Sequence, residues 1–217
     1  MKTIFKISAL VAAFALLFSC ETYKVDDPDM TAIHKIDGKF MAFGTLAGES
    51  EPSTIFAITI TNTTNDDSNA AWVTISDMNY GAFYPTTNWT RLLALRFRVN
   101  VNLADQSLSI SNGTAEEPRT AWNPFVEGAY GSYGSYYTCQ YQKGVSLDCV
   151  GVDFSGKIVT DGATTGSGSK ADKIEFSYTI KYKDGSSDVY TAEGMKKTGW
   201  AEDADEYETW LVDNGLW

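Results

Sequence analysis

Between Ile174 and Tyr182 apolar and polar residues alternate without a break: Ile174, Phe176, Tyr178, Ile180 and Tyr182 against Glu175, Ser177, Thr179 and Lys181. A period of two means a strand buried on one face and wet on the other. Leu93, Leu95, Phe97, Val99 and Val101 do the same against Ala94, Arg96, Arg98, Asn100 and Asn102. Phe56, Ile58 and Ile60 mark a third strand, Val73 and Ile75 a fourth, and Leu108 and Ile110 a fifth. Residues 39–46, 150–154, 157–160 and 188–195 read as further strands. The gaps carry turn chemistry: 62–69 is rich in Asn, Asp, Thr and Ser, and Asn112-Gly113 and Asp184-Gly185 read as tight turns. Residues 161–170 read as a Gly/Ser/Thr loop. No stretch holds a helical period for three turns; the best helix is 203–214. Eight to ten antiparallel strands on short connections predict an all-β fold, and closure into a single up-and-down barrel removes exposed edges.

The N-terminus has a different pattern. Lys2 and Lys6 precede a run of apolar and small residues from Ile7 to Phe18, closed by Ser19 and Cys20. A basic start, a dozen apolar residues and a small residue at the cut describe a secretory signal, too short to span a membrane. The cysteine after the cut resembles the lipobox of bacterial lipoproteins, in which the thiol carries a diacylglycerol. The reading is therefore a signal peptide over 1–19, a lipidated Cys20 with an acidic tether over 20–32, and a barrel domain over 33–217. The expected location is the cell envelope, anchored by lipid in the outer membrane, with the face undetermined.

Loss of residues 1–19 removes two lysines and no acid, so the net charge moves from −11 to −13. Such a surface repels phosphates and anionic head groups, which argues against a nucleic-acid partner and leaves membrane attachment to the lipid. A monomer is expected. Cys139 and Cys149 lie symmetrically about Gly144 and would face each other across a hairpin turning at Lys143-Gly144. In an exported chain they are expected to pair, for roughly 2–3 kcal/mol of stability; two free buried thiols are the alternative.

Three stretches point to a family. They are Ile58 to Asp66 with Ala71 to Asp77; Phe154 to Val159 with Gly166-Ser167-Gly168 and Asp172-Lys173-Ile174; and Tyr190-Thr191-Ala192-Glu193-Gly194-Met195-Lys196-Lys197-Thr198-Gly199-Trp200. Together they resemble the small Bacteroidetes lipoproteins named "lipid-binding putative hydrolase", similar to the calycin group of β-barrels, over about residues 35–205. The resemblance implies a calycin- or lipocalin-like barrel, a lipoprotein context and an apolar ligand. It brings no catalytic residues.

The residues themselves give little chemistry. The one histidine, His34, begins the domain and reads as a surface residue, and no G-x-S-x-G elbow occurs. Asp77, Asp148, Asp153 and Glu175 read as solvated strand carboxylates rather than a glycosidase pair. Asn65-Asp66-Asp67-Ser68-Asn69 offers hard oxygens but lacks the glycine and the terminal bidentate glutamate of an EF-hand loop, and no zinc set is present. Arg96 and Arg98 are expected to point outward, and Lys196-Lys197 to face water or carboxylates. No cofactor is implied. The Gly-spaced aromatic stretch Trp122, Phe125, Tyr130, Tyr133, Tyr136, Tyr137 and Tyr141 suits sugars, lipid head groups or a partner surface.

The sequence thus predicts a membrane-anchored, non-catalytic barrel that binds a lipid or another small amphipathic molecule. Leu95, Phe97, Phe176 and Tyr178 would line the lumen, with Trp122 and Tyr133 near its mouth. The alternatives are a glycan- or protein-interaction lipoprotein using the Tyr/Trp loop, and an uncharacterised hydrolase.

Overall fold

The alternating segments close on themselves. The computed structural model describes residues 30–77, 94–118 and 148–214. Its strands are β1 (Gly38–Leu46), β2 (Thr54–Asn62), β3 (Ala70–Asp77), β4 (Ala94–Asn102), β5 (Ser107–Gly113), β6 (Ala115–Glu116), β7 (Cys149–Thr164), β8 (Lys170–Tyr182) and β9 (Ser187–Lys196). Every pairing is antiparallel, and the ladder runs β1-β2-β3-β4-β5-β7-β8-β9 and back to β1, with β6 as a short addition on β4. This is the expected up-and-down barrel, a closed ring of eight strands.

The inward face follows the alternation. Phe40, Phe56, Ile58, Val73, Ile75, Leu95, Phe97, Phe154, Ile174, Phe176 and Tyr178 form one buried cluster. Rings from non-neighbouring strands meet across the lumen. Phe97 of β4 stacks on Tyr178 of β8 with centroids 5.8 Å apart, and Phe56 of β2 stands edge-on to Tyr178 at 6.0 Å. Phe154 and Phe176 stack at 5.3 Å. Aromatic pairs at these separations contribute beyond their buried area, so this layer is a solid core.

Where the barrel is tightest the chain uses glycine. A Cβ on Gly194 would lie 1.9 Å from the Met41 carbonyl, so only glycine lets β9 close onto β1. Gly194 is the first of the two glycines of the Tyr190–Trp200 motif, which gives that part of the motif a structural cause.

Helix α1 (Asp205–Asp213) follows a 3-10 turn (Ala201–Ala204) and covers the outside of the barrel. Tyr207 and Leu211 bury against Met41, Ile55, Ala57 and Met195, side chains on the outer face of β1, β2 and β9. Tyr207 stacks on Phe43 at 4.6 Å and donates its hydroxyl to the Met41 carbonyl at 3.0 Å. Asp203 ties this corner down. Its carboxylate accepts from the Ser167 amide at 2.8 Å and from the Thr198 hydroxyl, joining the β7–β8 turn to the end of β9.

Three expectations need correction. Residues 150–154 and 157–160 are not two strands but parts of the 16-residue β7. The inward series Val152, Phe154, Gly156, Ile158 is unbroken, and Gly156 is small because the Phe154 ring and the Phe176 Cβ crowd its side-chain space. The 161–170 loop is shorter than read, since β7 runs to Thr164 and β8 starts at Lys170. Asn112-Gly113 does not turn a hairpin: it lies at a register shift in β5, with Asn112 at φ 49°. Asp184-Gly185 does turn one, with Gly185 at φ 86° and the Tyr182 carbonyl accepting its amide at 3.0 Å.

Candidate functional site at the barrel mouth

The up-and-down course gives the barrel two ends of unlike chemistry. At one end the turn over residues 31–37 drives Ile33 and Ile36 into the core, both fully buried. The Ala32 amide donates to Asp66 at 2.9 Å, fastening this turn to the β2–β3 connection. His34 belongs to the same turn, exposed as expected, with Nδ1 3.0 Å from the Thr31 carbonyl.

The other end is where β2, β7 and β9 begin and β3 and β8 finish. Thr54, Asp77, Cys149, Tyr178, Tyr182, Asp188 and Tyr190 gather there. Register fixes their direction: Asp77 pairs with inward Phe56, Asp188 with inward Ile180, and Tyr190 with inward Tyr178. The Thr54 hydroxyl, almost wholly buried, donates to Asp77. Tyr182 donates to Asp188 at 2.8 Å. The floor is the aromatic layer, with the Tyr190 ring near enough to pack on Phe56 at 5.2 Å.

Burial sets the protonation of this end. It pushes the Tyr178 phenol well above its ordinary pKa, helped by the nearby Cys149, Tyr182, Asp77 and Tyr190. Burial also raises Tyr182, reinforced by its bond to Asp188. The Cys149 thiol is likewise pushed up by burial, and it donates to the Gly151 carbonyl at 3.5 Å. The mouth therefore offers neutral phenols and a neutral thiol beside two carboxylates, a set suited to hydrogen bonding. A thiol held protonated is a poor nucleophile.

Leu95, Phe97, Phe176 and Tyr178 are inward and buried, as expected, but rings meet across the lumen, Phe97 with Tyr178 and Phe56 with Phe176, instead of lining an open tube. Trp122 and Tyr133 lie outside the described residues, as do Cys20 and Cys139. Cys149 is a half-buried free thiol and not the disulfide partner expected of it, a correction to the sequence reading. Arg96 and Arg98 do point outward: Arg96 sits 4.0 Å over the Trp72 ring and pairs with Glu116 at 2.8 Å, and Arg98 pairs with Asp67 at 3.2 Å. Lys196 pairs with Asp172 at 3.5 Å. Asp66 and Asp67 are engaged by protein donors, Ala32 and Thr63 among them. Asp148, Asp153 and Glu175 are outward and matched by Lys183, Lys181 and Lys173.

Asp77 is the exception. Sequence reasoning placed it among the solvated carboxylates, yet it faces inward onto a buried threonine. Its spacing from Val73 and Ile75 carries that signal.

Outside the barrel, an open concavity of about 760 Å3 crosses β5, β7, β8, β9 and β1. Ser155, Ser177, Thr191 and Thr45 stand in one cross-strand row there, which Ser109 continues on β5.

A family model described as "Lipid-binding putative hydrolase" matches residues 25–201, most of the chain. The chain belongs to this family. Membership accords with the resemblance carried by the Tyr190–Trp200 motif, and the closed barrel is the scaffold on which this family member presents its mouth. None of the curated proteins matches it in sequence. Among solved structures it is similar to a structural-genomics protein of unknown function from Bacteroides ovatus, at 14% identity and TM-score 0.34, over 74% of this chain and 40% of that one. The chain thus spans less than half of that protein. It is also similar to the odorant-binding protein from bovine nasal mucosa, at 10% identity and TM-score 0.32, over 89% of each chain.

Proposed function

We propose that this protein is a lipid-anchored envelope protein, held in the outer membrane through Cys20, that binds a small amphipathic, lipid-like ligand at the barrel mouth without catalysis. Membership of a lipid-binding family supports the ligand class. The observation that carries the location is the asymmetry of the barrel. One end is plugged by Ile33 and Ile36, the middle is filled by rings, and the other end gathers phenols and carboxylates over an aromatic floor. An apolar tail on the ring layer with a polar end among Thr54, Asp77, Tyr182 and Asp188 matches both chemistries. For the absence of catalysis the support is that His34 belongs to the plugged end and that burial keeps the Cys149 thiol protonated.

The test is native mass spectrometry of the full chain purified gently from its own host. The expected result is a protein cut before Cys20 and carrying acyl chains there, with a second, non-covalent lipid-like mass that Tyr190→Ala loses. A clean mass that stays unchanged after incubation with host lipid extract would overturn ligand binding. An unmodified Cys20 would overturn the anchor alone.

A second reading, an interaction lipoprotein that binds glycan or protein on its exterior, draws on the solid middle layer and the outer row of hydroxyls. It predicts binding that survives changes at the mouth.

A further inference from the structure

The bulge in β5 brings together groups that the proposed ligand site does not use. Between Ile110, opposite Phe154, and Gly113, opposite Val152, Ser111 and Asn112 fall outside the paired register with β7. Asn112 is exposed, its backbone is left-handed at φ 49°, and its amide donates to the Asp153 carboxylate at 2.6 Å. Its side-chain carbonyl accepts from the Lys181 ammonium, which the same carboxylate holds at 2.7 Å. A cation on a carbonyl oxygen makes the carbon more open to attack, because it stabilises the charge that attack puts on the oxygen. The next residue is glycine, whose nitrogen has no neighbouring Cβ to shield it. A Cβ there would meet the Ile110 side chain at 2.7 Å, so packing disfavours any larger residue.

We propose that Asn112 is a site of spontaneous covalent modification, at which the folded chain turns a side-chain amide into a carboxylate. Solvent hydroxide takes the proton of the Gly113 amide, and the freed nitrogen attacks Asn112 Cγ. The Cγ–Nδ2 bond breaks, and the nitrogen leaves as ammonia after taking a proton from water. Lys181 offsets the charge that gathers on Oδ1 in between. Water then opens the five-membered imide at one carbonyl or the other, leaving aspartate or isoaspartate. The chemistry takes up one water, releases one ammonia and changes no oxidation state. The new carboxylate stands against Lys181, and the extra main-chain carbon of an isoaspartate falls where the register already shifts. Both products thus fit the folded barrel.

The test incubates the full chain at mildly alkaline pH and follows the peptide that contains Asn112 by mass spectrometry. A gain of one dalton is expected there, with part of the product read as isoaspartate by electron-transfer fragmentation, at a rate that rises with pH. Lys181→Met should slow the change roughly tenfold, the worth of one charge-assisted hydrogen bond to the developing oxyanion, while Lys181→Arg, which keeps the charge, should preserve the rate. The wild-type measurement stands even if a variant fails to fold. Asn112 left intact in the folded chain after a synthetic peptide of residues 109–116 has converted would overturn the site. An undiminished rate in a folded Lys181→Met protein would overturn the activation by Lys181. Loss of ammonia with the Asn112 and Lys181 peptides found joined would overturn the route, since the lysine and not Gly113 would then be the nucleophile.

Discussion

The two ends of this barrel are made from the same alternating strands but differ in what they ask of each side chain. At the plugged end Ile33 and Ile36 are fully buried, and the carboxylates around them are satisfied by the protein: Asp66 by Ala32, Asp203 by Ser167 and Thr198, Asp172 by Lys196. At the mouth the inward positions are Tyr, Asp, Thr and Cys, and the most buried phenol, Tyr178, has no described partner. Polar groups at inward positions cost stability unless matched. One end is built for stability, and the other is where we propose that recognition takes place.

The largest expected effect comes from opening the plug. Ile36→Ala removes a fully buried side chain between the barrel and its N-terminal turn, which should cost about 2–5 kcal/mol. Chemical denaturation of variant and wild type checks this. A loss below about 1 kcal/mol would mean that the turn is not part of the folded core, and the contrast between the ends would fail.

The corner at Asp203 gives a smaller effect with a defined pH signature. Burial pushes the Asp203 carboxyl upward, but the hydrogen bonds from Thr198 and Ser167 outweigh it and hold the pKa below the ordinary value. A carboxyl lowered in the folded state stabilises above its unfolded pKa, near ~4, and that stability is lost as pH falls through the folded value. Asp203→Asn should therefore cost roughly 1 kcal/mol at neutral pH, the difference between a charged and a neutral acceptor. In melting curves the gap from wild type should hold down to about pH 5, narrow below about pH 4 and close in stronger acid. A gap that widened toward acid would contradict the assignment.

Most of the barrel was legible because burial on one face writes itself as a period of two. The reading failed where a small residue took an inward place. Ser155-Gly156 looks like a break, yet Ser155 is outward and Gly156 gives its space to Phe154 and Phe176, so β7 runs through. Asn112-Gly113 has turn composition but serves a bulge, a distinction that depends on the neighbouring strand. The site was less legible for a related reason. Leu95, Phe97, Phe176 and Tyr178 were correctly turned inward, but periodicity tells direction and not whether rings from opposite walls meet. Asp77 was missed because its residue type outweighed its position: two places after Ile75, it had to face the lumen. The Asp203 corner joins residues far apart in sequence, Ser167 with Thr198 and Asp203, and no local pattern reports it.

The smallest effect on stability is the sharpest test of the contrast. Tyr178→Phe deletes one oxygen and keeps the ring that stacks on Phe97. Were Tyr178 a structural residue like Tyr207, whose hydroxyl serves the Met41 carbonyl, the change would strand a buried acceptor and cost about 1–3 kcal/mol. With no described partner to strand, Tyr178→Phe should shift stability by less than about 1 kcal/mol, and in the stabilising direction if the oxygen is unmatched in the empty protein. Tyr207→Phe measured beside it supplies the contrast, since it should be clearly destabilising. The same Tyr178→Phe variant should weaken ligand binding about tenfold, the worth of one hydrogen bond. A variant that loses affinity without losing stability marks a side chain kept for its ligand. One that loses stability and keeps affinity would move Tyr178 to the structural end of the comparison and the ligand site away from the mouth.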